Sequence, residues 1–164
     1  MSGSTQILKQ EILDKIILIL EKDYSQLNKI TKQAREDVIH NEMKQEGKYD
    51  TRAIEAGYLA GAQQRRLQVL KAEINTLRNL DIKSKTNSVA LSSLVEVTQN
   101  NKSITYFITA KSGGITINLD NNKVILIISL SSPLAKGLLG KAVDDYFELN
   151  IGKKNHEIEI IKIT

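Results

Sequence analysis

The sequence predicts an α+β protein: an N-terminal antiparallel α-helical coiled-coil hairpin, followed by a small, mostly antiparallel β-sheet domain with one short helix. Three observations support this fold class. No proline or glycine interrupts the chain between Gln6 and Gly47. Two successive segments repeat apolar or small residues at alternating spacings of three and four, as in a coiled-coil seam. Beyond residue 83, short strand-like runs alternate with turn residues.

Composition excludes several classes of function. The 164 residues are 41% hydrophobic and 26% charged, which is ordinary for a folded protein. The absence of cysteine excludes disulfides and thiolate metal sites, and two histidines make a histidine-rich zinc site improbable. A net charge of +4 argues against a dedicated duplex-DNA binder. The apolar run from Ile16 to Leu20 is too short for a membrane span or a signal peptide, so we expect a cytoplasmic protein without a membrane partner.

The first helix is expected to begin near Gln6, with Ser4 or Thr5 as its N-cap. Its seam residues become smaller along the chain: Ile17, Leu20, Tyr24, Leu27, Thr31, Ala34 and Val38. This gradient suits a thick root and a thin distal end.

The returning helix shows the opposite gradient. Gly47 supplies freedom for a tight reversal, and Asp50 can cap the helix that follows. Its seam residues become larger along the chain: Ala53, Ala56, Ala60, Gln63, Leu67, Leu70, Ile74 and Leu77. Matched gradients in opposite directions predict an antiparallel hairpin. Gly57 and Gly61 each cost up to about 1 kcal/mol in an exposed helix, and close helix-to-helix approach is the expected compensation.

The polar stretch 83–88 marks a boundary between a hairpin domain, 1–82, and a strand-rich domain, 83–164. Strands are predicted at 91–98, 103–110, 115–119, 124–130, 146–150 and 157–163. Ser132 followed by Pro133 predicts the start of a short helix that stops at Gly140. In the last strand, either Ile160 or Ile161 is expected to face the core.

Two groups of residues resemble the Gre family of bacterial transcript-cleavage and elongation factors. The first group surrounds an acidic tip: Ala34-Arg35-Glu36, Tyr49, Gly57-Tyr58 and Gly61. The second, stronger group resembles the family's most characteristic carboxy-terminal motif: the run from Ser132 to Lys141, with Asp144 and Asp145 after it. The likeness covers most of the chain from about Ala34 onward.

The resemblance implies an accessory factor to RNA polymerase and not an enzyme. The globular domain would resemble the FK506-binding (FKBP-like) prolyl isomerases in fold and would dock at the rim of the polymerase secondary channel. The coiled coil would insert toward the active site, where tip carboxylates help to hold a second Mg²⁺ shared with the polymerase. The polymerase would then cleave backtracked RNA, and the factor would meet the nascent RNA 3′ end only indirectly.

The resemblance assigns roles to particular residues of this chain. Glu42 and Glu46 are the candidate tip carboxylates, with Glu36 and Asp37 about a turn or more back. Arg35 and Arg52 are candidate RNA contacts, and no metal site is expected in the isolated protein. The candidate docking residues come from the carboxy-terminal motif: Ser132, Pro133, Leu134, Lys136 and Leu138.

Alternative functions remain open. Counting back from Tyr49, Gln45 stands where the family usually has its tip glutamate, and the tip is longer than usual. The chain is therefore also compatible with a secondary-channel-binding inhibitor or regulator that does not stimulate cleavage. A coiled-coil adaptor, with seam residues pairing between chains, is a further alternative to the expected monomer. A prolyl isomerase is improbable, because Tyr106-Phe107 and Tyr146-Phe147 are adjacent pairs whose members point to opposite faces of a strand.

Overall fold

A computed structural model describes residues 2–42, 51–83, 86–120, 122–151 and 154–164. It contains two long helices, α1 (Ser2–Glu42) and α2 (Thr51–Arg78), and a short helix, α3 (Pro133–Leu138). The strands are β1 (Leu94–Gln99), β2 (Lys102–Thr109), β3 (Thr116–Asn118), β4 (Val124–Ser129), β5 (Tyr146–Ile151) and β6 (Lys154–Ile163). The predicted fold class is confirmed, and each predicted strand is present with shifted ends. No described helix is both long enough and apolar enough to cross a membrane.

The chain forms two compact units that differ from the predicted division at residue 82. One unit combines Met1–Ile16 with Thr76–Thr164, and the other comprises Ile17–Asn75. The difference arises because the first four turns of α1 contribute core side chains to the globular unit, where Ile12 and Ile16 are fully buried.

In the hairpin unit, the seam predicted from spacing is the face that is protected from solvent. Leu20 and Thr31 of α1 and Leu67 and Ile74 of α2 are buried. Arg35 Nη2 donates a hydrogen bond to Gln64 Oε1 at 3.2 Å, which shows that these two residues lie level in the antiparallel hairpin. The buried hydroxyl of Thr31 donates to the carbonyl of Leu27 at 2.8 Å, so its burial leaves no donor unsatisfied.

The close approach expected at the two glycines of α2 has no support among the described residues. Within that part of the chain, a Cβ added at Gly57 would meet no atom within 4 Å, and one added at Gly61 would approach only Arg65 Nη1 of its own helix, at 3.8 Å. The α1 residues level with the two glycines, Val38 and Glu42, have side chains outside the described residues.

The globular unit is built on one six-stranded sheet with the order β3-β4-β2-β1-β6-β5. Neighbouring described strands are antiparallel except β2 and β4, which run parallel. The register between β1 and β6 shifts at Glu96/Val97, so that Glu96 pairs with Lys162 and Val97 with Ile160. Ile161 is the extra residue of this bulge and is exposed, whereas Ile160 is fully buried. The structure thus selects Ile160 as the core residue.

Both faces of the sheet carry buried side chains. Successive side chains along each strand point to opposite faces, so the buried residues divide into two sets. One face forms a core cluster that includes Val95, Val97, Ile108, Ile158 and Leu138 of α3. The alternate residues Leu94, Phe107, Ile125 and Ile127 are also buried and point the other way. Thr5 and Leu8 of α1 line a small cavity with Leu94 and Thr105, which places the start of α1 on this second face.

The two lysines at the start of α1, Lys9 and Lys15, have different environments in the globular unit. Lys15 Nζ donates to the carbonyl of Asn118 at 3.2 Å and lies 3.7 Å from the Asp120 carboxylate. Lys9 is only 4% exposed, and burial lowers the pKa of its ammonium although the charge of Asp81 opposes this shift. Ser4 and Thr5 lie within α1, which begins at Ser2, so their prediction as N-caps was wrong.

Lys9→Met is expected to raise thermal stability near neutral pH, because the apolar stem remains and the cost of burying a charge disappears. A lowered pKa in the folded state means that the unfolded state binds the Lys9 proton more readily. The cost is therefore fully present below the folded pKa and is relieved as pH rises toward the ordinary value. We expect the difference in Tm between variant and parent to shrink at alkaline pH; a gain that is constant with pH would contradict this explanation.

Candidate functional site

The α3 segment forms because its first residues supply a complete helix start. The backbone of Ser132 is extended, and its hydroxyl accepts a hydrogen bond from Ala135 N at 3.1 Å. Pro133 occupies the first turn, where a missing N–H costs nothing. Gly140 then adopts φ +78°, which glycine accommodates without strain. The predicted helix start and stop are confirmed.

The segment after α3 is fixed by backbone and ring contacts. Val89 N donates to the carbonyl of Lys141 at 2.7 Å, and Gly140 N donates to the carbonyl of Val89 at 2.8 Å. A Cβ at Gly137 would lie 2.5 Å from Phe147 Cε2, so only glycine allows α3 to sit this close to β5. Lys141 Nζ lies 5.4 Å from the centre of the Phe147 ring, within range of a cation–π contact. These contacts join α3 and the segment after it to Val89 and to β5.

The five predicted docking residues divide by exposure. Pro133 and Lys136 are exposed, whereas Ser132 and Leu134 are half-buried, Ser132 as the N-cap and Leu134 against the core cluster. Leu138 is 0% exposed and belongs to the core, so its prediction as a docking residue was wrong. The motif's hydrophobic spacing could not separate the inner face of a six-residue helix from its outer face.

Sequence reasoning missed one exposed residue of the same segment. Leu139 follows α3 directly, and 37% of it is accessible. With Pro133 and Lys136 it completes what we call the α3 surface. No local signal in the sequence separates it from its neighbour Leu138, which is buried, because only packing distinguishes the two leucines.

The predicted tip residues lie at or beyond the end of α1. Glu42 is the last residue of α1, but its side chain, all of Glu46 and the proposed cap Asp50 are outside the described residues. Glu36 and Asp37 are exposed on the last turns of α1. Two helix-surface carboxylates thus precede the predicted pair.

The two predicted RNA contacts differ in what the structure says of them. Arg35 is exposed, and its guanidinium is engaged with Gln64 across the hairpin. Arg52 belongs to the first turn of α2, and its side chain is outside the described residues. Arg35 therefore has a structural role in register besides any contact with a phosphate.

The described residues contain no group of three or more His, Asp or Glu side chains that could hold a metal ion. The predicted pair, Glu42 and Glu46, would supply only oxygen ligands, the donor type that Mg²⁺ prefers.

The two aromatic pairs are split between the faces of their strands, as expected. Tyr106 belongs to the core cluster, donates to Gln99 Oε1 at 3.1 Å, and has a phenol pKa raised by burial. Phe107 is fully buried on the opposite face. Phe147 packs on Gly137, whereas its neighbour Tyr146 is exposed. Three of the four aromatics, Tyr106, Phe107 and Phe147, are thus packed within the globular unit, and Tyr146 lies at its surface.

Comparisons with known proteins agree on one family. A sequence model described as "Transcription elongation factor, GreA/GreB, C-term" matches residues 83–164, which include the whole α3 surface. The transcription elongation factor GreA of Psychromonas ingrahamii is 29% identical over 152 residues, covering 88% of this chain and 89% of that protein.

Solved structures of lower identity were also found. The GreA factor homolog 1 of Thermus thermophilus is 21% identical with a TM-score of 0.35, and the match covers 90% of this chain and 94% of that one. A GreA/GreB factor from Nitrosomonas europaea is 19% identical with a TM-score of 0.36, covering 60% of this chain and 78% of that one. Because the family model covers the whole six-stranded sheet and α3, the chain belongs to the GreA/GreB family of transcription elongation factors.

Proposed function

We propose that this elongation factor binds RNA polymerase through the α3 surface and presents the end of its helical hairpin to the polymerase active site. The observation that carries the proposal is that the family-matched region contains a rigid surface element with an exposed cation. Lys136 and Pro133 are exposed on α3. Phe147, Gly140 and Val89 hold that element in place. A preorganised contact loses little conformational entropy on binding.

The proposed site of docking is the rim of the secondary channel, the entrance through which a backtracked transcript leaves. In this position the chain itself would carry out no bond cleavage. Its part would be to place the carboxylates of Glu42 and Glu46 beside the reacting phosphate. A second Mg²⁺, when bound in the polymerase, supplies an activated water and stabilises the developing charge. The factor's carboxylates would retain that ion and orient the water by hydrogen bonding.

A second candidate function is occupation of the channel without stimulation of cleavage. It is favoured by Gln45, a neutral side chain where the family usually has a glutamate. An amide oxygen is a weaker ligand for a hard cation than a carboxylate, so a tip that relied on residue 45 would retain Mg²⁺ poorly. Glu46 is adjacent to Gln45. Whether its carboxylate can replace the missing glutamate distinguishes stimulation of cleavage from occupation of the channel alone.

The test is a defined elongation complex, backtracked by a few nucleotides and incubated with and without the protein. Shortened transcripts in the presence of the protein support the first function, and slowed synthesis without shortening supports the second. Absence of both effects, together with absence of binding to core polymerase, would refute the proposal.

Lys136→Glu is expected to weaken binding to core polymerase about tenfold, which corresponds to about 1.4 kcal/mol. The reason is that a cation at the centre of the α3 surface is replaced by an anion. Binding is measured by fluorescence anisotropy of labelled protein at two salt concentrations. Lys102→Glu is the matched control, because Lys102 is also exposed but lies at the β1–β2 turn. Equal losses from both variants would show a nonspecific charge effect and contradict the assignment.

A further inference from the structure

A groove lies on one side of the helical hairpin, between side chains of α1 and α2. It has a volume of about 270 Å³. Its lining comes from both helices of the hairpin unit: Asp23, Gln26, Leu27, Ile30, Arg66 and Leu70. The α3 surface contributes nothing to it, so it is separate from the docking contact proposed above.

The centre of the groove is apolar and accessible. Leu27 and Leu70 are half-buried at its base, and Ile30 beside them is 57% exposed. A single exposed isoleucine needs no explanation, but apolar side chains that converge on a concave surface are typical of a contact site.

The charged residues of the groove lie at its two ends. The Arg35–Gln64 hydrogen bond sets the register, which puts Arg66 level with Gln33 of α1. Arg66 is thus about ten residues beyond Asp23 along the hairpin, or about 15 Å at 1.5 Å per residue. Both side chains are exposed, and among the described residues neither forms an ion pair or a side-chain hydrogen bond.

We propose that this groove is a self-association surface, in which two copies of the chain pack their hairpins face to face and antiparallel. A two-fold axis through the centre of the groove superposes the Asp23 end of one copy on the Arg66 end of the other. An isologous contact requires such a self-complementary surface. Two Asp23–Arg66 pairs would then form between the copies, with Ile30 of both copies buried between the two pairs.

The expected association is weak and reversible. A contact limited to this groove buries less than the roughly 1,200 Å² of a stable complex. The protein at low concentration would be a monomer, and dimers would accumulate only when it is abundant. A hairpin covered in this way presents a different surface from a free one, so self-association would reduce the amount of protein free to engage another partner.

The experiment is sedimentation velocity of the full chain from low micromolar to millimolar concentration. Asp23→Arg and Arg66→Asp are each expected to abolish self-association, because each places like charges opposite one another. An equimolar mixture of these two variants should associate, since every facing pair then has opposite sign, and the double variant should associate like the parent. This rescue is a readout that a merely structural role for either residue would not produce.

The apolar centre has a matched control. Ile30→Ser should weaken association, whereas Ile39→Ser should not, because Ile39 is 54% exposed but lies nine residues on, about half a turn around α1. Circular dichroism checks that each variant keeps its helices. A parent that stays monomeric at all concentrations would overturn the inference. So would association that the two charge reversals leave unchanged, or reduced polymerase binding by R66D in a protein that never associates.

Discussion

Alanine at both Glu42 and Glu46 is expected to reduce factor-stimulated transcript cleavage by about 10- to 100-fold, the range seen when groups that support a metal site are removed. The physical reason is that Mg²⁺ retention in a weakly held position depends on added carboxylate oxygens. The measurement is the rate of RNA shortening in a backtracked complex at limiting Mg²⁺. Binding to core polymerase should be unchanged, because the α3 surface is untouched.

Glu36→Ala provides the control for this prediction. Glu36 is an exposed carboxylate on the same helix, more than one turn before Glu42. If cleavage depends on carboxylates placed at the tip, Glu36→Ala should change it little, and raised Mg²⁺ should partly rescue the double variant. Equal losses from Glu36→Ala and the double variant would show that general negative charge is responsible. Unchanged cleavage by the double variant would refute the assignment of both residues.

Leu138→Ala is expected to lower the free energy of unfolding by about 3 kcal/mol, within the 2–5 kcal/mol usual for a buried leucine. Leu138 has no accessible surface and packs in a cluster with Val89, Ile108 and Ile158. Truncation removes apolar contacts and leaves a cavity that the surrounding strands cannot close, because backbone pairing holds them. The measurement is urea unfolding followed by circular dichroism.

The neighbouring residue is the matched control for this variant. Leu139→Ala removes the same number of atoms from a side chain that is partly exposed, so a much smaller loss of stability is expected. Its effect should instead appear in polymerase binding, together with that of Lys136→Glu. If Leu138→Ala left stability unchanged and selectively weakened binding, its assignment to the core would be contradicted.

The elements of this fold could be predicted because local signals mark them. The start and stop of α3 were predicted from Ser132, Pro133 and Gly140. The strands were predicted from strand-like runs separated by turn residues. The choice between Ile160 and Ile161 could not be made locally, because it depends on a bulge in the pairing of β6 with a strand about sixty residues earlier. Likewise, Lys9 was not recognised as buried, since its burial depends on tertiary packing and the charge near it, Asp81, is about seventy residues away in the sequence.

The candidate site was predicted less completely than the fold. A motif identifies a segment, but only packing shows which of its side chains face outward. Lys136 and Leu138 are two residues apart, and one is exposed while the other is in the core. The opposed charges at the two ends of the groove were also invisible in the sequence, because Asp23 and Arg66 come from different helices and only the hairpin's register places them along one groove.

The globular unit joins residues 1–16 to residues 76–164. During synthesis, Ile12 and Ile16 leave the ribosome long before the strands that will cover them, and β6, which separates β1 from β5, emerges last. Nonlocal pairing of this kind slows folding, since loop closure must precede the contacts that reward it. Early closure of the helical hairpin would shorten the effective loop between residues 16 and 76. The hairpin unit would thus accelerate the folding of the globular unit, to which it does not belong.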